Sequence, residues 1–353
     1  MIDKLLLKKA VWRINDNLLQ WLWFAPGVDT ARIGYDKGLL TWLRVKRHKK
    51  LRRKVHICLL EVLPKEGKFG RFTAFWINER SRICTASVNE RIEDADIVWT
   101  YSQDPLPNGV KKELLRTLKR ARPGTPVINH PESYNSYHED GCFERLEKAG
   151  VSVPKSVFTA ADIGKTPVVY KTKGKHGARK FMSIYRGPVE GFHPSEFVDS
   201  KGEDGLHRKF RVLYAAGIIY PNYAAFSDRW NVERATLKRI EYSFEMTPVE
   251  VENISLIART LNIQFFSVDY LRRQPDRLPV FTDINVYPQP IAFTETAREF
   301  GYAGRWNIVD NHLRLNIPGP SDRPFWSMFD DAMAAFVEGS HQVFDVPRLY
   351  GAS

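Results

Sequence analysis

Three features of this 353-residue sequence predict an α/β fold. The first is an apolar, β-branched run, VHICLLEVL (55–63), of the kind that sits in the middle of a sheet. The second is the order that follows: a strand DIVWTYS (96–102), an amphipathic helix GVKKELLRTLKRARPG (109–124) and a strand TPVINHP (125–131). Strand, helix, strand at this spacing is the signature of parallel connections. The third is an apolar fraction of 43%, enough for a real core, with no low-complexity block and no solenoid repeat. The length exceeds one typical domain, so two or three packed subdomains are expected.

Each later element is read in turn. In the helix at 109–124, Leu114, Leu115 and Leu118 form the apolar stripe, and Pro123–Gly124 stop it. The segment 134–154 reads as a helix ending at Gly150. The segment PVVYKTKGKHGARKFMSIYR reads as two strands around a Lys/Gly-rich loop, and SEFVDS (195–200) as a short strand. The segment 207–227 is a hairpin turning near Ala216–Gly217, 248–263 a helix, and 264–271 a strand carrying Asp269. A further strand is PVFTDIN, in which Asp283 and Asn285 stand two apart and so share a face. Residues 292–353 read as mostly helical, most clearly in DRPFWSMFDDAMAAFVEG.

Charge and cysteine usage narrow the class. The net charge is +12, and the run RVKRHKKLRRK (44–54) carries eight of the positive charges, which leaves +4 for the rest. No aromatic-interleaved RNA-reading motif accompanies the run, so nucleic acid is not expected, and a polyanionic or membrane-surface partner ranks above it. Three widely spaced cysteines, Cys58, Cys84 and Cys142, form neither a disulfide framework nor a zinc site, which points to a reducing, cytoplasmic setting. The Trp-rich N-terminus is too short in apolar residues to span a membrane. Peripheral membrane contact is one reading of it and packing on the domain is the favoured one. A homo-oligomer is also among the expectations. No GxSxG motif is present to support a hydrolase triad.

Two local patterns carry chemistry. Lys171 ends a β-branched strand, and the loop that follows holds Lys173, Gly174, Lys175 and Gly177. Glycines let backbone N–H groups approach an anion and lysines supply charge, although the Walker A spacing is absent. Asp269, Asp283 and Asn285 come from two successive strands, and three such oxygens suit magnesium, which takes one or two carboxylates plus substrate phosphates. For either pattern alone, a solvated hairpin loop and strand-end turn residues are the plainer readings.

Taken in order, the lysine loop, SEFV, the strand with Lys209 and Arg211, "SVDYL" and "FTDIN" resemble the ATP-grasp carboxylate–amine ligases, over roughly residues 125–290. The resemblance implies an ATP-grasp fold with a Rossmann-like pre-ATP-grasp domain and extra helical termini. It divides the chain into a basic helical extension (1–54), the Rossmann-like domain (55–132), a lid subdomain (133–192), a C-terminal subdomain with the magnesium site (193–315) and a helical tail (316–353). It implies ATP and two Mg²⁺ as cofactors. Lys171 and the loop from Gly174 would hold phosphates, and Ser195, Glu196, Phe197 and Val198 would form the hinge at the adenine edge. Arg211 and Lys209 would be catalytic, Asp269, Asp283 and Asn285 would bind metal, and Arg229, Trp230 and Asn231 would contact substrate. The implied reaction joins a small-molecule, glycan or peptide carboxylate to an amine through an acyl phosphate; a hydroxyl-directed phosphotransferase and a nucleotide-binding protein without activity are the alternatives. The chain departs from the family pattern at Asp283, where glutamate is usual, at Lys209, where an acid is usual, and at Glu139, where a second phosphate-binding lysine is usual.

Overall fold

A computed structural model describes residues 55–61, 73–74, 77–78, 80–102, 105–172, 179–233, 236–242, 244–286, 323–339 and 348–350. The basic N-terminal run, the glycine-rich loop at 173–178 and the segment 287–322 lie outside the described residues. The described chain is mixed α/β, built on three sheets.

The first sheet is parallel, in the order β2-β1-β3-β4, from β1 (Val55–Glu61), β2 (Cys84–Val88), β3 (Ile97–Tyr101) and β4 (Val127–Ile128). All seven residues of β1 are buried, as a central parallel strand covered on both faces requires. The strand β2 was missed in the sequence because CTASV is short and three of its five residues are small or polar. It is fixed instead by Asn78, whose side-chain amide bonds both the N–H and the C=O of Ala86.

Helix α1 (Asn108–Leu118) ends six residues before the predicted stop. Lys119, Arg120 and Ala121 turn to i→i−3 bonds, and Arg122 leaves the helix line to bond Ala95 O and Asp96. The single helix predicted over 134–154 is also corrected. A 3₁₀ turn (Tyr134–Tyr137) is followed by α2 (Cys142–Lys148), separated by Gly141 in the left-handed region at φ 78°. Asn135 drives the break by bonding both backbone groups of Leu106.

The small second sheet is antiparallel, in the order β6-β5-β7, from β5 (Pro167–Thr172), β6 (Lys180–Ile184) and β7 (Phe192–Glu196). The predicted strand at 195–200 therefore begins earlier and ends at Glu196. Its local core is modest: Val168, Tyr170 and Tyr185, with Phe158 and Phe192 packed against them.

The third sheet, in the order β10-β9-β8-β11-β12, is the platform. It contains β8 (His207–Ala215), β9 (Ile218–Ser227), β10 (Leu237–Tyr242), β11 (Phe265–Arg272) and β12 (Pro279–Asn285), with β13 (Arg348–Leu349) added in parallel on β9. The β8–β9 hairpin turns at Ala216–Gly217, as predicted. Both residues have positive φ, the pairing that matches strand twist in a two-residue loop. One face packs Phe210, Val212, Tyr270 and Phe281 against Ile254, Ile257 and Leu261 of α3 (Pro248–Leu261). That helix opens with a capping box between Thr247 and Glu250.

Two joints connect the sheets. Asn129, in the left-handed region at φ 52°, donates to Phe265 O and Val286 O and accepts from the N–H groups of Gln264 and Phe265. Helix α4 (Arg323–Val337) sends Phe325, Met328, Phe329 and Met333 into a core shared by β1, β3 and the near end of β8 and β9. Its buried Asp330 accepts from Ser81 Oγ and Arg82 N–H.

Candidate active site

The polar face of the platform, opposite α3, gathers the charged residues. Asp269 pairs with Arg211 of β8 on one side and Asp283 of β12 on the other, so all three stand in one row across the sheet. Asp269 is buried at 4% exposure, and Arg211 grips it with two bonds, Nε–Oδ1 at 2.6 Å and Nη2–Oδ2 at 2.8 Å. Lys209, one pleat along β8, brings its Nζ to 3.5 Å from Asp269 Oδ2. Burial pushes the Asp269 carboxyl up, but Arg211 and Lys209 pull it down further, and it ends at about 2 against an ordinary 3.8. Arg211 also lies 5.7 Å over the ring of Tyr223, which faces it from β9.

Two bulges flank this row. In an unbroken ladder, Phe281, Asp283 and Asn285 would share a face, forcing either the ring into water or the acid into the core. Thr282 is inserted between the pairs Tyr270–Phe281 and Asp269–Asp283, so Phe281, Ile284 and Val286 are buried while Asp283 is exposed on the opposite side. Asn285 lies beside it, with Nδ2 3.4 Å from Asp283 Oδ2. On the other flank, Asn222 is the inserted residue between the pairs Arg211–Tyr223 and Val212–Pro221.

The small sheet reaches this row through Lys171. Its Nζ comes to 3.4 Å from the carbonyl of Thr282, the bulge residue. Burial lowers its pKa and so does Lys180, directly across the ladder, while Asp283 and Asp269 act in the opposite direction. Three cations, Lys171, Lys209 and Arg211, thus act on two carboxylates, and Lys180 adds a fourth positive charge across the ladder from Lys171. The surplus of positive charge suits a polyanion.

The remaining predicted residues lie around this row or away from it. Ser195 pairs with Val169 and Glu196 with Val168. Glu196 also accepts the Lys155 N–H, its own N–H donates to Lys155 O, and the Phe197 N–H donates to Pro167 O; Val198 is buried. Phe197 meets Trp230 edge-on at 6.2 Å. Arg229, Trp230 and Asn231 sit in the β9–β10 loop beyond Ser227, whose partner His207 is four residues from Arg211, or ~13 Å along the strand. They are therefore at the Phe197 end of the platform, away from the Asp269 row. The Asn231 amide is held locally by Glu233. Lys173, Gly174, Lys175 and Gly177 lie outside the described residues. Glu139 is exposed and paired to Arg145 at 3.0 Å.

Sequence reading missed Lys180, Tyr223 and Thr282. The signal for Thr282 was present: apolar residues at 281, 284 and 286 do not keep a period of two.

The cation fit can be tested on these residues. Asp283 and Asn285 are adjacent oxygen donors at a solvent-exposed edge, which fits a magnesium ion that keeps waters and phosphates as its other ligands. Among the described residues no group of three His, Cys, Asp or Glu side chains could hold a metal by itself. No helix among the described residues is long and apolar enough to cross a membrane, and the three cysteines are buried and free.

No sequence-defined family matches the chain, and no curated protein does. The solved structures it resembles include ligases. The ATP-grasp ligase PsnB, complexed with its precursor peptide PsnA2 and AMPPNP, is 15% identical over 80% of this chain and 97% of its own, with a TM-score of 0.47. A Chryseobacterium gregarium RiPP-associated ATP-grasp ligase, in complex with ADP and a leader and core peptide, is 11% identical over 80% and 97%, at 0.46. The D-alanine–D-alanine ligase of Bacillus anthracis, complexed with ATP, is 13% identical over 81% and 99%, also at 0.46. Likeness of this degree carries no argument about chemistry, which rests on the residues themselves.

Proposed function

We propose that this protein is an ATP- and magnesium-dependent carboxylate–amine ligase of the ATP-grasp type. One observation carries the reading: Arg211, Asp269, Asp283 and Asn285 share one face of the platform, and Lys171 arrives on it from a separate sheet. A triphosphate lying between the two sheets would meet cations from both. The division at 55–132, 133–192 and 193–315 follows the same reading, except that β7 pairs with β5 and so extends the lid to Glu196.

In this reading the base of ATP lies at the hinge near Phe197 and Val198, with Trp230 closing that end, and the phosphates run toward Arg211. Lys171 holds the phosphate tail, joined by Lys173, Lys175 and the glycines of the loop. Asp283 and Asn285 hold magnesium, which when bound screens charge on the triphosphate. A substrate carboxylate oxygen attacks the γ-phosphorus, the bond to the bridging oxygen breaks, and ADP leaves an acyl phosphate. Arg211, oriented by Asp269, stabilises the charge that develops there. An amine nitrogen then displaces phosphate to form the amide. The cationic face fits an acidic acceptor, with peptides, glycans and small carboxylates as the classes to try.

The test is ADP release with paired panels of carboxylates and amines, followed by mass analysis of the product. Release that needs both partners, with an adduct lighter than their sum by one water, supports the ligase. Release with a hydroxyl compound alone, giving a phosphate adduct, assigns a phosphotransferase instead. No effect of Mg·ATP on the melting temperature, where a ligand at 100 times its Kd adds about 2.7 kcal/mol, leaves a non-enzyme.

A further inference from the structure

The two carboxylates of the site do not have the same freedom to bind a cation. Asp283 is exposed, and its neighbour in the site is an amide. Asp269 is buried, and a carboxylate offers about four lone-pair positions. Two are taken by the side-on grip of Arg211 and a third faces Lys209. The resemblance places Asp269 among the magnesium ligands with Asp283 and Asn285, but its surroundings repel a divalent ion: two cations already touch it, and Lys171 interacts with it as well. Asp269 is thus a holder of cationic side chains.

We propose that Lys209 stands in for a second divalent ion, so that the protein works with a single magnesium held by Asp283 and Asn285. The inference rests on the ligase reading above and refines its metal count. Arg211 is held at 2.6 and 2.8 Å on both oxygens and keeps its place. Lys209 makes one longer contact at 3.5 Å on a flexible stem, so its ammonium can swing from Asp269 to a phosphate oxygen as the nucleotide arrives. The sequence at this point is Lys209-Phe210-Arg211, two cations on one face of β8, where an acid at 209 would instead add a third carboxylate beside Asp269. A positive charge fixed in the chain then does the electrostatic work that a third carboxylate would otherwise give to a metal.

The experiment counts metal rather than turnover. The wild-type protein is saturated with AMPPNP and titrated with Mn²⁺, with free Mn²⁺ read by electron paramagnetic resonance and bound nucleotide by equilibrium dialysis. One Mn²⁺ per chain is expected in the wild type and two in Lys209→Asp. Lys209→Met should keep one Mn²⁺ and bind AMPPNP about 10-fold or more weakly, the loss of one hydrogen bond to a charged group. Two Mn²⁺ in the wild type with AMPPNP bound would overturn this inference and leave the ligase reading standing. A wild type that binds no AMPPNP would overturn both. The wild-type count decides the matter even if Lys209→Asp does not fold.

Discussion

The platform sheet carries an arginine–carboxylate pair on each of its faces, and the two are built differently. On the helix side, Arg272 grips Glu250 at 2.6 and 3.0 Å, and its guanidinium lies 4.3 Å over Phe210. Glu250 is fully buried and also bonds the Thr247 N–H, closing the cap of α3. Charges match one to one and aromatic rings cover them. On the other face, the Arg211–Asp269 pair has the same side-on geometry, but a second cation touches the acid, a third, Lys171, interacts with it, and an exposed acid lies beside it. A pair that serves the fold balances its own charge. The pair proposed to serve a ligand is left with charge over.

Substitutions should separate the two faces. The largest expected effect is from Glu250→Ala, which strands a half-buried arginine and opens the helix cap. A loss of about 3–5 kcal/mol in urea unfolding is expected, and a loss below about 1 kcal/mol would mean that the pair is not structural. Asp269→Asn should cost about 1.5–3 kcal/mol at pH 7, the worth of a hydrogen bond to a charged group, because Arg211 and Lys209, which hold the carboxyl below its ordinary value, lose their counter-charge. The sign follows from the lowered pKa: this stability is present in full above about pH 4 and fades as the pH falls toward 2. The gap between wild type and variant should close over that window, and a gap constant down to pH 2 would deny the coupling.

Asp283→Ala and Asn285→Ala should change stability by no more than about 0.5 kcal/mol, since Asp283 is exposed and Asn285 lies at the strand end. Each should nonetheless weaken magnesium-dependent AMPPNP binding about 10-fold or more by calorimetry; intact binding in both would remove them from the metal site. The smallest effect is expected from Lys180→Ala. Removing a like charge across the ladder relieves a few tenths of a kcal/mol. It should also move the Lys171 titration, followed by NMR of methylated lysine, up toward its ordinary value, with burial still holding it below.

Much of this arrangement was legible beforehand. The hairpin at Ala216–Gly217, the helix from Pro248 and the strands bearing Arg211, Asp269 and Asp283 are encoded locally, by turn residues, a cap and β-branched runs. The shared face of Asp283 and Asn285 followed from strand period alone. Other features depend on contacts distant in sequence. Strand β2 is held by Asn78 and β1, the break after Tyr137 by Asn135 reaching Leu106, and the position of Trp230 by Phe197. Lys180 carries no signal of its own in the sequence; only the β5–β6 register sets it opposite Lys171.

The inserted Thr282 has a consequence for how the two sheets communicate. A strand without it would alternate regularly, with Phe281 inward, Asp283 outward, Ile284 inward and Asn285 outward, so every side chain of the site would keep its direction. What would vanish is one main-chain oxygen, displaced from the ladder and turned toward the lysine of the opposing sheet. The acceptor half of the latch between flap and floor is thus written in peptide backbone: replacing Thr282 with another amino acid leaves that oxygen in place, whereas shortening the chain by this one residue takes it away, and the donor half is the Lys171 side chain.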